Sequence, residues 1–194
     1  MRCTCLSQRG KSEGNRFTLA IPNREIHSVF ATQIMDLFRE NVRKDGERVN
    51  RFGEALKNGD AKGVEEQFGA YLRRTISIRD TFVRKERKKN FFHGILLGIL
   101  GAKDSWIVYS NAESGDGYSD ILIEIEEESV GIVLEVKYAD NGDFETACQD
   151  ALNQIKDMRY DEKLRDEGVE DILKYGIACY KKRCRVVLAD RSAA

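Results

Sequence analysis

The sequence predicts an α/β fold, a mixed sheet flanked by helices and preceded by a helical N-terminal region. Three observations carry this. Apolar residues repeat with the helical period up to about residue 100 and with the strand period after it. Two apolar runs, Ile121–Ile125 and Ile132–Val136, flank an acidic turn and read as a hairpin. A helical stripe over residues 143–160 then separates that hairpin from two more strands. The C-terminal half thus reads in α-β-β-β-α-β-β order, the alternation expected of an α/β core.

Taken in order, residues 1–15 read as irregular. Gly10-Lys11-Ser12 invites a phosphate-loop reading, which fails because Cys5 stands where the motif needs glycine and no strand precedes it. Arg16–Ile21 alternates as a short strand. Pro22 opens a helix to about Glu40, with Ile26, Val29, Phe30, Ile34, Leu37 and Phe38 on one stripe. Shorter helices are expected over 48–57 and 61–73, the second capped by Asp60. A longer helix spans about 80–100. Its first half is basic and its second, FFHGILLGIL, is apolar nearly all round, so it should be buried. Gly94 and Gly98 share a face and suggest close approach to a sheet. Strands follow at 106–109, 121–126 and 131–138, then the helix over 143–160, a short helix around 162–173, and strands at 175–180 and 185–189. We place the domain boundary near residue 79. Residues 1–79 form an N-terminal strand and helical region, and 80–194 form the domain that carries the chemistry.

The composition excludes several classes. With 41% hydrophobic and 34% charged residues, the chain reads as a globular protein with a true core and a charged surface. The longest apolar run, Phe91–Leu100, falls short of the roughly 20 residues a bilayer span needs. Five cysteines at irregular spacing, with no apolar leader before them, read as free thiols in the cytoplasm. His27 and His93 lie on apolar helical faces and read as packed residues. The net charge of −1 announces no polyanion partner, but its distribution does. Residues 73–89 are strongly basic, whereas 113–128 carry seven acids and no Lys or Arg. One surface suits phosphates and the other suits a cation. The blander reading is a solvated helix face beside an acidic hairpin.

The hairpin holds the chemistry. Asp120 stands at the mouth of its first strand, and Glu135 and Lys137 lie inside the second. Charges are costly in a buried strand unless paired or bound to metal. A two-residue turn at 127–128 sets Asp120 opposite Glu135; a four-residue turn at 127–130 sets it opposite Lys137. In both registers the three residues share one face, and a one-residue slip would separate them. Two carboxylates and an ammonium then converge. A divalent cation relieves the carboxylate repulsion, and oxygen ligands suit Mg²⁺ or Mn²⁺. Such a cation lowers the pKa of bound water and stabilises charge in attack on phosphorus, while the lysine orients that water or offsets phosphate charge. Cross-strand ion pairs are also ordinary in a chain this charged.

Asp120 with Glu135-Val136-Lys137 resembles the motif of the PD-(D/E)XK nuclease superfamily, with its restriction-endonuclease-like fold. FFHGILLGIL, SNAESGDGYSDI, GIVLEVKYA, ALNQIKDMRY and YGIACYKKRCRVV extend the resemblance over about residues 17–190, towards a bacterial branch whose domains follow an AAA-ATPase-like part. The resemblance implies a Mg²⁺- or Mn²⁺-dependent hydrolase of DNA phosphodiesters. Asp120, Glu135, Lys137 and Gln154 would be catalytic, and Asp120 and Glu135 would hold the metal. Relatives place a further acid just before the aromatic-His pair. Here Lys89 and Asn90 stand there, so Glu86, one turn earlier, is the nearest third ligand. Glu113 would add a further carboxylate, its blander reading being a plain loop acid. Arg84, Lys85, Lys88, Lys89 and Tyr160 are the expected DNA contacts. The missing nucleotide-binding motif implies that the chain is a remnant, fragment or stand-alone derivative, with a separate ATPase chain as a partner. A homodimer stays open. The alternative reading is a catalytically weak or inactive module of the same fold that binds nucleic acid or a protein.

Overall fold

Five strands form one mixed sheet in sequential order. The computed structural model describes residues 46–76 and 88–190, all within one compact unit spanning Val42–Ala194. Its elements are α1 (Gly46–Lys57), α2 (Ala61–Thr75), α3 (Lys88–Leu100), β1 (Ile107–Ser114), β2 (Gly117–Ile125), β3 (Val130–Tyr138), α4 (Phe144–Asp157), α5 (Glu162–Asp166), β4 (Asp171–Tyr180) and β5 (Arg183–Leu188). The sheet order is β1-β2-β3-β4-β5. β3 and β4 run parallel, and every other neighbouring pair is antiparallel. A parallel pair needs a crossover, and α4 and α5 lie within it. This is the α/β architecture the sequence predicts, consistent with a restriction-endonuclease-like fold. The strand expected over 16–21, the helix over 22–40 and the basic start of the helix from residue 80 lie outside the described residues.

Three boundaries differ from expectation. β1 runs on to Ser114, so SNAES is strand and Glu113 pairs with Tyr118 instead of sitting in a loop. The β2–β3 connection spans 126–129 as a 3₁₀ turn closed by Ser129 at φ +53°. Its ladder, from Ile125↔Val130 to Ile121↔Leu134, nevertheless keeps the register of the shorter turn, with Asp120 next in line with Glu135. The helix expected over 162–173 stops at Asp166. Gly168 takes φ +88°, and Asp171–Lys174 then pairs with Val130–Val133 as parallel strand. Periodicity alone could not see that pairing.

Helices cover both faces. Leu122 and Val133 pack under Ile155 of α4, with Tyr160, Leu164 and Val169 completing the cluster. Tyr138 lies five residues beyond Val133, hence on the other face, and stacks on Phe92 of α3 at 6.3 Å. Gly176 permits the close approach of α4: a Cβ there would lie 2.6 Å from the Cys148 carbonyl. Gly94 does not play the expected part, since a Cβ there would meet nothing within 4 Å.

α1 and α2 pack onto this sheet. Asp60 caps α2 through Gly63 N–H at 2.9 Å, as its type and position predict. Phe52 meets Phe68 between the two helices, and the Tyr175 hydroxyl donates to the Leu56 carbonyl at 2.7 Å. Glu65 accepts the Val186 N–H at 3.0 Å, so a helix side chain satisfies a donor of the edge strand β5. Cys148, Cys179 and Cys184 are free thiols. Among the described residues, no helix is long and apolar enough to cross a membrane.

Candidate active site

Asp120 sits where β2 loses its partners. The β2–β3 ladder stops at Ile121↔Leu134, and the β1–β2 ladder skips the pair Asn111–Asp120, where Asn111 takes φ +49°. The Asp120 carboxylate stands in for the missing ladder acceptor, taking the Val136 N–H on Oδ2 at 2.8 Å. Its backbone carbonyl lies 3.0 Å from His93 Nε2. A carbonyl only accepts, so Nε2 carries the proton. His93 is therefore packed, as expected, and also fixes the backbone of the first site residue.

Period-two geometry brings Glu135 and Lys137 to the face Val133 shares with α4. The outcome agrees with the predicted shared face. Glu135 is fully buried, and its Oε1 lies 3.4 Å from Lys137 Nζ. Lys137 Nζ also donates to Gln154 Oε1 in a short hydrogen bond. Gln154 Nε2 donates in turn to the Tyr160 hydroxyl at 2.9 Å. Tyr160 is 3% exposed and belongs to the core. It packs in the core and orients Gln154.

The loop after α4 is itself tied down. Ser114 Oγ donates to the Tyr160 carbonyl at 2.8 Å, and the Asp116 N–H donates to the Met158 carbonyl at 2.9 Å. Gly115, at φ +57°, makes that approach possible, since a Cβ there would fall 2.1 Å from the Met158 oxygen. The β1–β2 turn thereby holds the platform on which Gln154 and Lys137 rest.

Lys89 departs most from expectation. Expected on DNA, it reaches into the site from the first turn of α3. Its Nζ lies 2.9 Å from Asp120 Oδ1 and 2.9 Å from Glu135 Oε1. Burial opposes its charge, but the adjoining Asp120 and Glu135 carboxylates outweigh that and raise its pKa above the ordinary lysine value. Burial first, and the Asp120 charge second, hold the pKa of Glu135 above the usual carboxylate range, against the pull of Lys89 and Lys137. Glu135 Oε2 is buried and has no hydrogen-bond donor among the described residues. No pattern rule finds this role of Lys89. The one signal in the sequence was a lysine standing where relatives place an acid.

The donor set fits a cation. Two carboxylates converge, one with an oxygen lacking a donor, and a single positive charge already lies between them. Among the described residues no cluster of three or more His, Cys, Asp or Glu forms a larger metal site. Glu86, Arg84 and Lys85 lie outside the described residues. Glu113 lines a different cavity of about 400 Å³ with Ser114, Gly115, Glu162, Lys163 and Asp166. Lys88 sits over the Tyr138 ring at 4.6 Å, beside the site, and donates to the Tyr138 hydroxyl at 3.3 Å.

A family model for the PD-(D/E)XK nuclease superfamily matches residues 87–188. No curated protein matches the chain.

Proposed function

The chain belongs to the PD-(D/E)XK nuclease superfamily, and from that premise we propose that it hydrolyses DNA phosphodiester bonds with the help of a divalent cation. One observation carries the reading: Asp120, Glu135, Lys137 and Gln154 converge at the end of the β2–β3 ladder. In the reaction, water forms a new bond to phosphorus while the bond to the sugar oxygen breaks. The products are a phosphomonoester and a sugar hydroxyl.

Asp120 and Glu135 are the residues that would hold Mg²⁺ or Mn²⁺. Such an ion supplies an acidified water and neutralises charge growing on phosphorus. The chain's own residues do the rest. The Val136 N–H fixes the rotamer of Asp120. Lys137, held by Gln154, keeps its ammonium beside Glu135, where it orients the attacking water and meets phosphate charge. Tyr160 holds the Gln154 amide so that its oxygen faces Lys137.

DNA would lie along a basic and aromatic strip at the same end of the sheet. Lys88 covers Tyr138, Lys181 covers Tyr180, and the Tyr138 and Tyr180 rings lie 5.7 Å apart. Cations there would bind phosphates with a salt-dependent affinity; Arg84 and Lys85 join the proposal on the sequence alone. An ATPase partner belongs to the same proposal and rests on the sequence resemblance alone.

A second reading is favoured by Lys89 between the two carboxylates. It holds that the domain binds nucleic acid without cutting it. The deciding experiment is nicking of plasmid and single-stranded DNA at low salt in millimolar Mg²⁺ or Mn²⁺ against EDTA. Metal-dependent nicking that Lys137→Ala and Glu135→Ala both lose supports the nuclease. DNA binding that ignores metal and survives Lys137→Ala, without nicking, selects the binding module.

A further inference from the structure

Building on the nuclease reading, we propose that Lys89 is a resident counter-ion. Its ammonium occupies the place of the catalytic cation, and a divalent ion enters only by displacing it. The geometry carries this. One nitrogen lies at 2.9 Å from an oxygen of each carboxylate. That is the arrangement of a shared cation, with two acids from adjacent strands bridged by a charge from a third element. Asp120 Oδ2 is committed to the Val136 N–H. Oδ1, the oxygen left for a metal, is the one Lys89 takes. A divalent ion at the same point would meet the ammonium at a distance where like charges repel strongly. Both cannot sit between Asp120 and Glu135 together.

The arrangement also explains how the two carboxylates are tolerated side by side. Two carboxylates this close, one fully buried, would be costly without a positive charge. Lys89 supplies it. The side chain is 33% exposed, which leaves its ammonium a route to solvent when it is displaced. An incoming DNA phosphate offers that ammonium an alternative partner. Substrate and divalent ion would therefore help each other enter the site.

The test is calorimetric titration of Mn²⁺ into the full chain at fixed pH and low salt, comparing wild type, Lys89→Gln and Lys89→Arg. Asp120→Asn serves as the control that locates the binding. Lys89→Gln should bind Mn²⁺ at least about tenfold tighter than wild type, and Lys89→Arg, which keeps the charge, should bind as weakly as wild type. Equal affinity in wild type and Lys89→Gln overturns the proposal, as does tight binding by Lys89→Arg. If Lys89→Gln does not fold in EDTA, recovery of its circular dichroism with Mn²⁺ supports the proposal, and no recovery overturns it. Cleavage is read separately. If Lys89→Gln binds Mn²⁺ tightly but leaves DNA intact, the nuclease reading fails and the counter-ion stands. If wild type nicks DNA and binds Mn²⁺ as tightly as the variant, the reverse holds.

Discussion

Two carboxylate clusters in this domain use the same ingredients to opposite effect. Asp161, just after α4, is one acid between two bases, with Arg165 Nε at 2.7 Å and Lys174 Nζ at 3.0 Å. Burial alone would raise its pKa, but those two hydrogen-bonded cations bring it below the usual carboxylate value. At the end of β2 and β3, two acids share Lys89, and Lys137 is held by Gln154 at 3.4 Å from Glu135. There burial and the second carboxylate win, and the pKa of Glu135 is raised. Asp161 is a satisfied ion cluster that supports the crossover. The Asp120–Glu135 pair has one lysine per acid, where Asp161 has two bases to itself, and it keeps a buried oxygen without a donor. A bound cation would relieve an electrostatic cost of that kind.

The comparison breaks first on activity. Glu135→Ala and Lys137→Ala should each reduce DNA cleavage by about 10²-fold or more, a loss typical of removing a catalytic group, whereas Asp161→Asn should leave it unchanged; single-turnover cleavage of a labelled duplex measures all three. Next comes stability, where the two sites should respond with opposite sign. Asp161→Asn removes a charge with two partners and should lower stability by about 1 kcal/mol. Glu135→Gln relieves carboxylate repulsion and should raise the melting temperature in EDTA. If both variants lower it, the electrostatic contrast is wrong.

The pH profiles sharpen the same contrast. Asp161 has a lowered folded pKa, so its contribution is present above the unfolded value of about 3.9 and is lost as pH falls through the folded value. Its Asn variant should lose the acid limb of that stability curve. Glu135 has a raised folded pKa, so the folded state binds the proton more readily and stability rises as pH falls through that value towards the unfolded glutamate value of about 4.3. Glu135→Gln should flatten that rise, as melting scans across pH would show. The smallest effect is expected at Gln154→Ala. It frees the Lys137 ammonium to move closer to Glu135 and should lower cleavage only about tenfold, with KM little changed; steady-state kinetics separate the two.

Much of the site was legible in the sequence because strand geometry is periodic. A period of two fixes which residues share a face, so Asp120, Glu135 and Lys137 could be grouped once the hairpin was seen. The register of the short turn held even though the connection has four residues, because the buried pairs Leu122–Val133 and Ile123–Ile132 set it. Gln154 came from the resemblance alone, since its helix by itself reads it as a surface glutamine. What escaped were long side chains and non-local pairing. Lys89 looks like any residue of a basic run until α3 is set against β2 and β3. The sequence leaves Tyr160 between packing and phosphate, and only the turn at Ser114–Asp116, which closes over its backbone, shows it buried. Residues 171–174 carry no pattern that excludes helix; their partners in β3, about 40 residues earlier, make them strand.

The most direct measurement compares cleavage of one labelled DNA duplex by wild type, Glu135→Gln and Asp161→Asn in millimolar Mn²⁺. The account predicts metal-dependent cleavage by wild type and Asp161→Asn alike, and none by Glu135→Gln. Cleavage by Glu135→Gln at the wild-type rate, or its absence from all three folded proteins, would contradict the assignment of a nuclease site to Asp120, Glu135 and Lys137.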